Sequence, residues 1–331
     1  MRIVVDAMGS DNYPEPDVEG AVLAARTLAD VGIVLVGDET AVHAELDKHD
    51  ISNLDIDVVH ASQVIAMDDK PSKVIREKKE SSMHVGLTLV KEGQADAFVT
   101  MGNTGAVLAI ATLRTLRRIP GVLRPALSLI FPTTTLPVLI DAGANVDNKP
   151  EHLYQFAVMG SLYMEKIRKI ENPKVALISN GEEESKGTAL INETGPLLAD
   201  SHLNYVGRIE PKEFMRGEVD VGVTDGFTGN IIMKTSEAIA KEMSDLIRES
   251  LMSNPLTILG GLLARSAFTK VRQQLNPDEI GGIPLLGVNG ALIVGHGRSN
   301  ARAVETAVYQ AHELVQNKVV EAIAEGLAGE Q

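Results

Sequence analysis

Cysteine is absent from all 331 residues, and so is tryptophan. The first absence removes thiolate nucleophiles, Cys-ligated zinc and disulfide frameworks, and it suits a reducing compartment. Aromatic residues make up only 3% of the chain and the formal net charge is −14. Little is left to stack bases or attract a polyanion, so no nucleic-acid partner is expected. Long apolar runs are missing too, because Gly, Pro and charged residues break every candidate before the ~18 residues of a spanning helix. Met1-Arg2-Ile3-Val4-Val5-Asp6 opens on a strand pattern without the basic, apolar and small-residue order of a secretory signal. A cytoplasmic protein, at most peripheral to a membrane, is expected. The G-x-S-x-G elbow, the H-E-x-x-H helix and a complete P-loop are all lacking. Asp6-Ala7-Met8-Gly9-Ser10-Asp11 stands where a dinucleotide fingerprint would follow the first strand. With no internal repeat or long linker, residues 1–331 are expected to form one catalytic α/β unit, in one body or two lobes.

What is present is 44% hydrophobic residues, arranged as short Val/Ile/Leu-rich runs that alternate with longer segments of helical period. That pattern predicts an α/β fold of three layers, a mostly parallel sheet covered on both faces. Strands are expected at 2–6, 32–36, 56–60, 97–100, 126–131, 137–141, 175–178 and 219–223. Helices are expected at 18–29, 81–92, 105–115, 151–168, 188–198 and 231–251, with a closing helix from 301 to about 328. Most strand runs end in Gly, Asp, Asn or Thr, as at the carboxyl edge of a doubly wound sheet where ligands bind.

Four loops can carry chemistry. Thr100-Met101-Gly102-Asn103-Thr104-Gly105 joins a strand to a helix, and its small residues and free N–H groups suit an anion; an ordinary capped turn fits the same residues. Lys186, in Gly181-Glu182-Glu183-Glu184-Ser185-Lys186-Gly187, offers a cation for phosphate or belongs to a solvated ion-pair cluster. In Thr224-Asp225-Gly226-Phe227-Thr228-Gly229-Asn230, Asp225 can orient a donor or accept a proton. Thr228 and Asn230 can touch an anion that Lys234 would balance. Gly295-His296-Gly297-Arg298-Ser299-Asn300 adds a guanidinium fork, a hydroxyl and an imidazole that can act as acid or base or serve structure alone. No convergence of oxygen ligands is legible, so no required metal and no cofactor are expected.

The set Asp6-Ala7-Met8-Gly9-Ser10-Asp11, Lys70-Pro71-Ser72, Ser81-Ser82-Met83, Gly102-Asn103-Thr104-Gly105 and Asp141-Ala142-Gly143-Ala144-Asn145 resembles the bacterial phosphate acyltransferase (PlsX) family. The 181–187 and 224–230 loops, Gly281-Gly282-Ile283-Pro284-Leu285-Leu286-Gly287 and His296-Gly297-Arg298-Ser299 continue the likeness in order. Ser10 stands where family members commonly carry a second glycine. The resemblance implies a fold like that of phosphate acetyltransferases and isocitrate/isopropylmalate dehydrogenases, and a homodimer. It also implies transfer of a long-chain acyl group from acyl carrier protein to inorganic phosphate, supplying a membrane-bound glycerol-3-phosphate acyltransferase in phospholipid synthesis. A short-chain phosphate acetyl- or butyryltransferase using acyl-CoA, and a non-catalytic anion-binding scaffold, are the competing readings.

Direct attack by phosphate on the thioester needs only positioning and charge stabilisation, in keeping with the missing nucleophile motifs. Asp225, Lys186 and His296 are the candidate catalytic groups. Gly102, Asn103, Thr104, Gly105, Thr228, Asn230, Lys234, Arg298 and Ser299 are the candidate phosphate ligands. Arg114, Arg117, Arg118 and Arg124 form a basic patch that could dock an acidic carrier or be a solvated helix end. The apolar stretch from Leu251, interrupted by Asn254-Pro255 and followed by Arg265, Lys270 and Arg272, is a candidate dimer or membrane contact.

Overall fold

The computed structural model describes residues 1–183, 185–275 and 277–329. Glu184 of the acidic loop lies outside them, as does the side chain of Arg272. The first half alternates strand and helix, with two helices before β4: β1 (Arg2–Asp6), α1 (Glu15–Thr27), β2 (Gly32–Gly37), α2 (Glu39–Leu46), β3 (Ile56–His60), α3 (Pro71–Glu77), α4 (Ser82–Lys91), β4 (Ala97–Thr100) and α5 (Thr104–Leu113). The middle comprises β5 (Ala126–Ile130), β6 (Val138–Ile140), α6 (Pro150–Arg168), β7 (Val175–Ile178), α7 (Ala189–Ala199), β8 (Tyr205–Ile209), α8 (Pro211–Arg216) and β9 (Val221–Val223). Then come α9 (Gly226–Leu251), α10 (Pro255–Leu263), α11 (Arg265–Leu275), α12 (Pro277–Ile280), β10 (Ile283–Leu286), β11 (Ala291–Val294), α13 (Ala301–Gln316) and α14 (Val319–Ala328).

The strands form one sheet in the order β3-β2-β1-β4-β11-β10-β5-β6-β9-β7-β8. Pairing is parallel except where β10 meets β11 and β5, and where β5 meets β6. Period-2 alternation feeds both faces. Ile3 and Val5 of β1 enter one core with Val99 and Ile293, whereas Val4 enters the opposite core with Phe98 and Leu292. Continuous apolar strands are therefore what a sheet sandwiched between helix layers demands. Burial of these side chains at roughly 25 cal/mol per Å² is the main term holding the layers together.

Three strands escaped the sequence reading. β8 is a partly exposed edge strand, while β10 and β11 are four-residue runs between glycines. The closing helix is two helices, because Lys318 adopts a left-handed conformation between α13 and α14. Asn254-Pro255 proves to be a helix start, not an interruption. Asn254 caps α10 by accepting from the N–H groups of Leu256 and Thr257, and Pro255 occupies the first helical position, where its missing N–H costs nothing. α9 also begins at Gly226, earlier than its apolar period suggests. At 26 residues it extends about 39 Å, and only Gly226 and Gly229 of it are buried.

Candidate functional site

The carboxyl ends of β1, β4 and β11 lie side by side, so their loops share one crevice. At the end of β1 the buried Asp6 accepts hydrogen bonds from the Met8 N–H at 3.1 Å and the Thr100 hydroxyl at 2.7 Å. Thr100 Oγ1 in turn accepts from the Gly102 N–H at 3.0 Å. Asp6 thereby fixes the turn of its own strand and that of β4 together. Burial pushes its carboxyl above the usual range, against hydrogen bonds from Ser82, Thr100 and Met8. Gly9 packs against the second turn so closely that a Cβ there would lie 2.9 Å from the Met101 nitrogen, which only glycine allows.

A second buried acid stands behind this pair. Asp17 accepts from the Ser10 hydroxyl and N–H through Oδ2, and its Oδ1 has no partner. Desolvation, only partly opposed by Ser10 and reinforced by Asp6, pushes Asp17 up to about 8. It is therefore neutral at pH 7. Ser10, at the position where the resembled family carries glycine, is the residue that holds it.

Asn103 is the N-cap of α5. Its Oδ1 accepts from the Ala106 N–H at 3.0 Å, and its amide donates to the carbonyls of Ala66, Met67 and Asp69. The side chain thus ties segment 66–69 over the turn, while Thr104 is exposed beside it and Gly105 accommodates Pro71. A cleft of about 370 Å³ lined by Gly9, Ser10, Asp11, Tyr13, Ile65 and Met67 opens between the β1 loop and this segment.

The 295–300 loop closes the other side. The Asp11 N–H donates to the Gly297 carbonyl at 2.7 Å, and the Gly295 N–H donates to the Thr100 carbonyl at 2.8 Å. Exposed His296 accepts the Arg298 N–H at its Nδ1, 3.3 Å away. Partial burial lowers the His296 pKa, and the charges of Arg298 and Lys234 lower it further against Glu237 and Asp11. These charges meet at α9: Lys234 pairs with Glu237 at 3.2 Å, and Arg298 approaches the same carboxylate at 4.0 Å. His296, Arg298, Lys234 and buried Ser299 therefore sit around one corner. Sequence reasoning missed Glu237, which lies in a helix with no motif of its own, and gave Asp11 no role although it ends the motif after β1.

Asp225 caps α9, accepting from the Thr228 N–H at 2.9 Å and hydroxyl at 2.8 Å. The start of α9 rests on the β6 loop, where Asp141 was overlooked as an organising residue. Its carboxylate receives the N–H groups of Leu127, Gly143, Ala144 and Asn145 and the Asn145 amide. Burial raises its pKa against those donors. Gly229 lies against the Asp141 carbonyl, where a Cβ would come within 1.9 Å, and Asn230 lies against Gly143.

Lys186 stands apart, exposed on the loop after β7. Arg208 of β8 holds that loop by donating to the Lys186 carbonyl at 2.8 Å, and Asn180 accepts the Gly187 N–H. The four arginines of the basic patch also divide. Arg114 and Arg117 line a cleft of about 440 Å³ along α4, Arg118 folds back onto the Leu123 carbonyl, and Arg124 faces His152 at the start of α6.

Comparison with known proteins agrees along the whole chain. Residues 1–322 match the family model described as fatty acid synthesis protein. A phosphate acyltransferase of Geobacter sulfurreducens is 44% identical over 331 residues, covering 100% of this chain and 95% of that protein. A phosphate acyltransferase of Alkaliphilus oremlandii is 45% identical over 329 residues, covering 99% and 98%. The fold is shared with a phosphotransacetylase from Streptococcus pyogenes, which superposes with a TM-score of 0.59 at 19% identity over 97% of this chain and 94% of that one.

Proposed function

The chain belongs to the fatty acid synthesis protein family and is a phosphate acyltransferase, and from that premise we propose that it transfers long-chain acyl groups from acyl carrier protein to inorganic phosphate. The observation that carries this site assignment is that Lys234, Arg298 and His296 meet at the 295–300 loop, whose Gly295 and Gly297 are hydrogen-bonded to the end of β4 and the loop after β1. Cations and backbone donors are what a multiply charged nucleophile requires.

In this reading phosphate lies between the 101–103 turn and the Lys234–Arg298 pair, competing with Glu237 for both cations. A phosphate oxygen attacks the thioester carbonyl carbon, the new C–O bond forms, and the carbonyl electrons collect on oxygen. Collapse breaks the C–S bond, releasing acyl phosphate and the carrier thiolate, which takes up a proton. His296, its pKa lowered by partial desolvation and by neighbouring cations, can accept the phosphate proton. Asp225 acts through the geometry of α9 by capping it beneath Lys234. Lys186 is assigned a supporting role toward phosphate from the β7 loop.

Two surfaces complete the reading. The α9 face carrying Ile239, Met243, Leu246 and Ile247 repeats at helical spacing and is exposed, which suits a second copy of the chain. None of α10 is buried, and Leu256, Leu259, Leu262 and Leu263 precede Arg265 and Lys270, which suits the inner surface of a membrane near the glycerol-3-phosphate acyltransferase that would use the product. Among the described residues no helix is long and apolar enough to cross one. Arg114, Arg117, Arg118 and Arg124 are assigned to the acidic carrier.

Hydroxylamine capture of acyl phosphate from palmitoyl-carrier protein, palmitoyl-CoA and acetyl-CoA tests the donor assignment. Product chiefly from the carrier supports it; product chiefly from acetyl-CoA replaces it with the short-chain reaction.

A further inference from the structure

One outer stripe of α4 carries His84, Thr88 and Lys91, spaced so that all three share a face. With Lys79 before the helix, and Arg114 and Arg117 after α5, they line the cleft of about 440 Å³. Four full positive charges thus face one volume on a chain of net charge −14, and no carboxylate is in the lining. Neighbouring Lys78 shows what the rest of the surface does with its cations, for it is bound to Asp69 at 2.5 Å. Among the described residues none of the four cleft cations has an ion-pair partner.

His84 adds an independent observation. Its side chain is buried, with the residue only 4% exposed. Nδ1 lies 3.0 Å from Ser81 Oγ, which also accepts the His84 backbone N–H. The other ring nitrogen, Nε2, is buried and has no hydrogen-bond partner. Burial and the charges of Arg114 and Lys79 lower the His84 pKa, against a hydrogen bond at the Lys78 backbone.

We propose that the cleft formed by Lys79, His84, Lys91, Arg114 and Arg117 binds a phosphate group, as free phosphate or as a phosphate ester. Thr88 supplies no hydrogen to it, because its hydroxyl already donates to the His84 carbonyl at 2.7 Å. The site is distinct from the cleft at the carboxyl edge, with which it shares no lining residue, and α4 carries it from Ser82, bonded to Asp6, about 15 Å along to Lys91. It shares Arg114 and Arg117 with the carrier-docking surface, yet depends neither on that docking nor on acyl transfer.

The test is isothermal titration of the full chain with inorganic phosphate in one arm and 4′-phosphopantetheine in the other, at low salt where exposed charges are least screened. The parent is compared with Lys79→Ala/Lys91→Ala and with Lys79→Arg/Lys91→Arg, which retains charge. One binding event should weaken at least about ten-fold in the alanine variant and persist in the arginine variant. Its loss with phosphate alone assigns the site to the free ion; its loss with the ester alone assigns it to esters. Isotherms of the alanine variant that match the parent with both probes would overturn the site, as would equal losses in the arginine variant.

Discussion

Replacing Asp17 by asparagine should make the protein more stable at neutral pH and remove a defined part of its pH dependence. Asp17 has an ordinary pKa of 3.8 in the unfolded chain and about 8 in the folded one. Between those values the folded state holds a proton that the unfolded state has released. A carboxyl whose folded pKa is raised contributes most favourably below its unfolded pKa, and stability declines as pH climbs toward the folded value. The slope is one proton, about 1.4 kcal/mol per pH unit, so from pH 5 to pH 7 the parent should lose roughly 3 kcal/mol through this group. The amide introduced by Asp17→Asn keeps an oxygen for Ser10 and carries no proton to lose. Asp141, also raised by burial, is present in both proteins and cancels in the comparison, whereas Asp6 is coupled to Asp17 and shares in the difference. Urea unfolding of both proteins at pH 5, 6, 7 and 8 measures the difference directly. The gap should widen by about one proton's worth per unit; parallel curves would refute a neutral buried Asp17.

Three further outcomes follow from the same geometry. Gly229→Ala places a methyl 1.9 Å from the Asp141 carbonyl, a backbone atom that cannot step aside, so it should cost about 1–3 kcal/mol in urea and lower turnover by displacing Lys234; an unchanged midpoint would count against that contact. Lys234→Ala, Arg298→Ala and Lys186→Ala should each raise the KM for phosphate, the first two by about ten-fold, with the carrier KM within about two-fold; unchanged phosphate dependence rejects the residue concerned. In the pH profile of kcat/KM the acid limb due to His296 should lie below its ordinary 6.5, because burial, Arg298 and Lys234 disfavour the imidazolium. His296→Asn should abolish that limb, and its persistence would transfer the proton to another group.

Much of the architecture was legible because parallel strands buried on both faces must be apolar along their length: β1, β4 and β7 fall at the residues their composition marks. What was not legible is set by contacts distant in sequence. β11 is a four-residue run that gains its central place only by lying between β4 and β10. The start of α9 was obscured by Gly226 and Gly229, poor helix formers retained because Asn145 and Asp141 leave no room for a side chain. At the site, the loop residues themselves could be named, since glycine turns after strands mark the ligand edge. Their division of labour could not: Asn103 spends its amide on segment 66–69, and Asp11 and Glu237 reach His296 and Arg298 from other elements. Charge patterning located the arginines at 114–124, yet only folding separates the pair that shares a cleft with Lys79 and Lys91 from the two that do not.

The most direct test of the central claim follows the phosphorus and the thiol together. Palmitoyl-carrier protein is incubated with enzyme and inorganic phosphate, while 31P NMR monitors the acyl phosphate and a thiol reagent monitors the released carrier. The account expects a new acyl-phosphate resonance growing in step with free thiol, one for one, and no thiol release when phosphate is left out. Thiol release at the same rate without phosphate, or thiol without the resonance, would contradict direct transfer to phosphate.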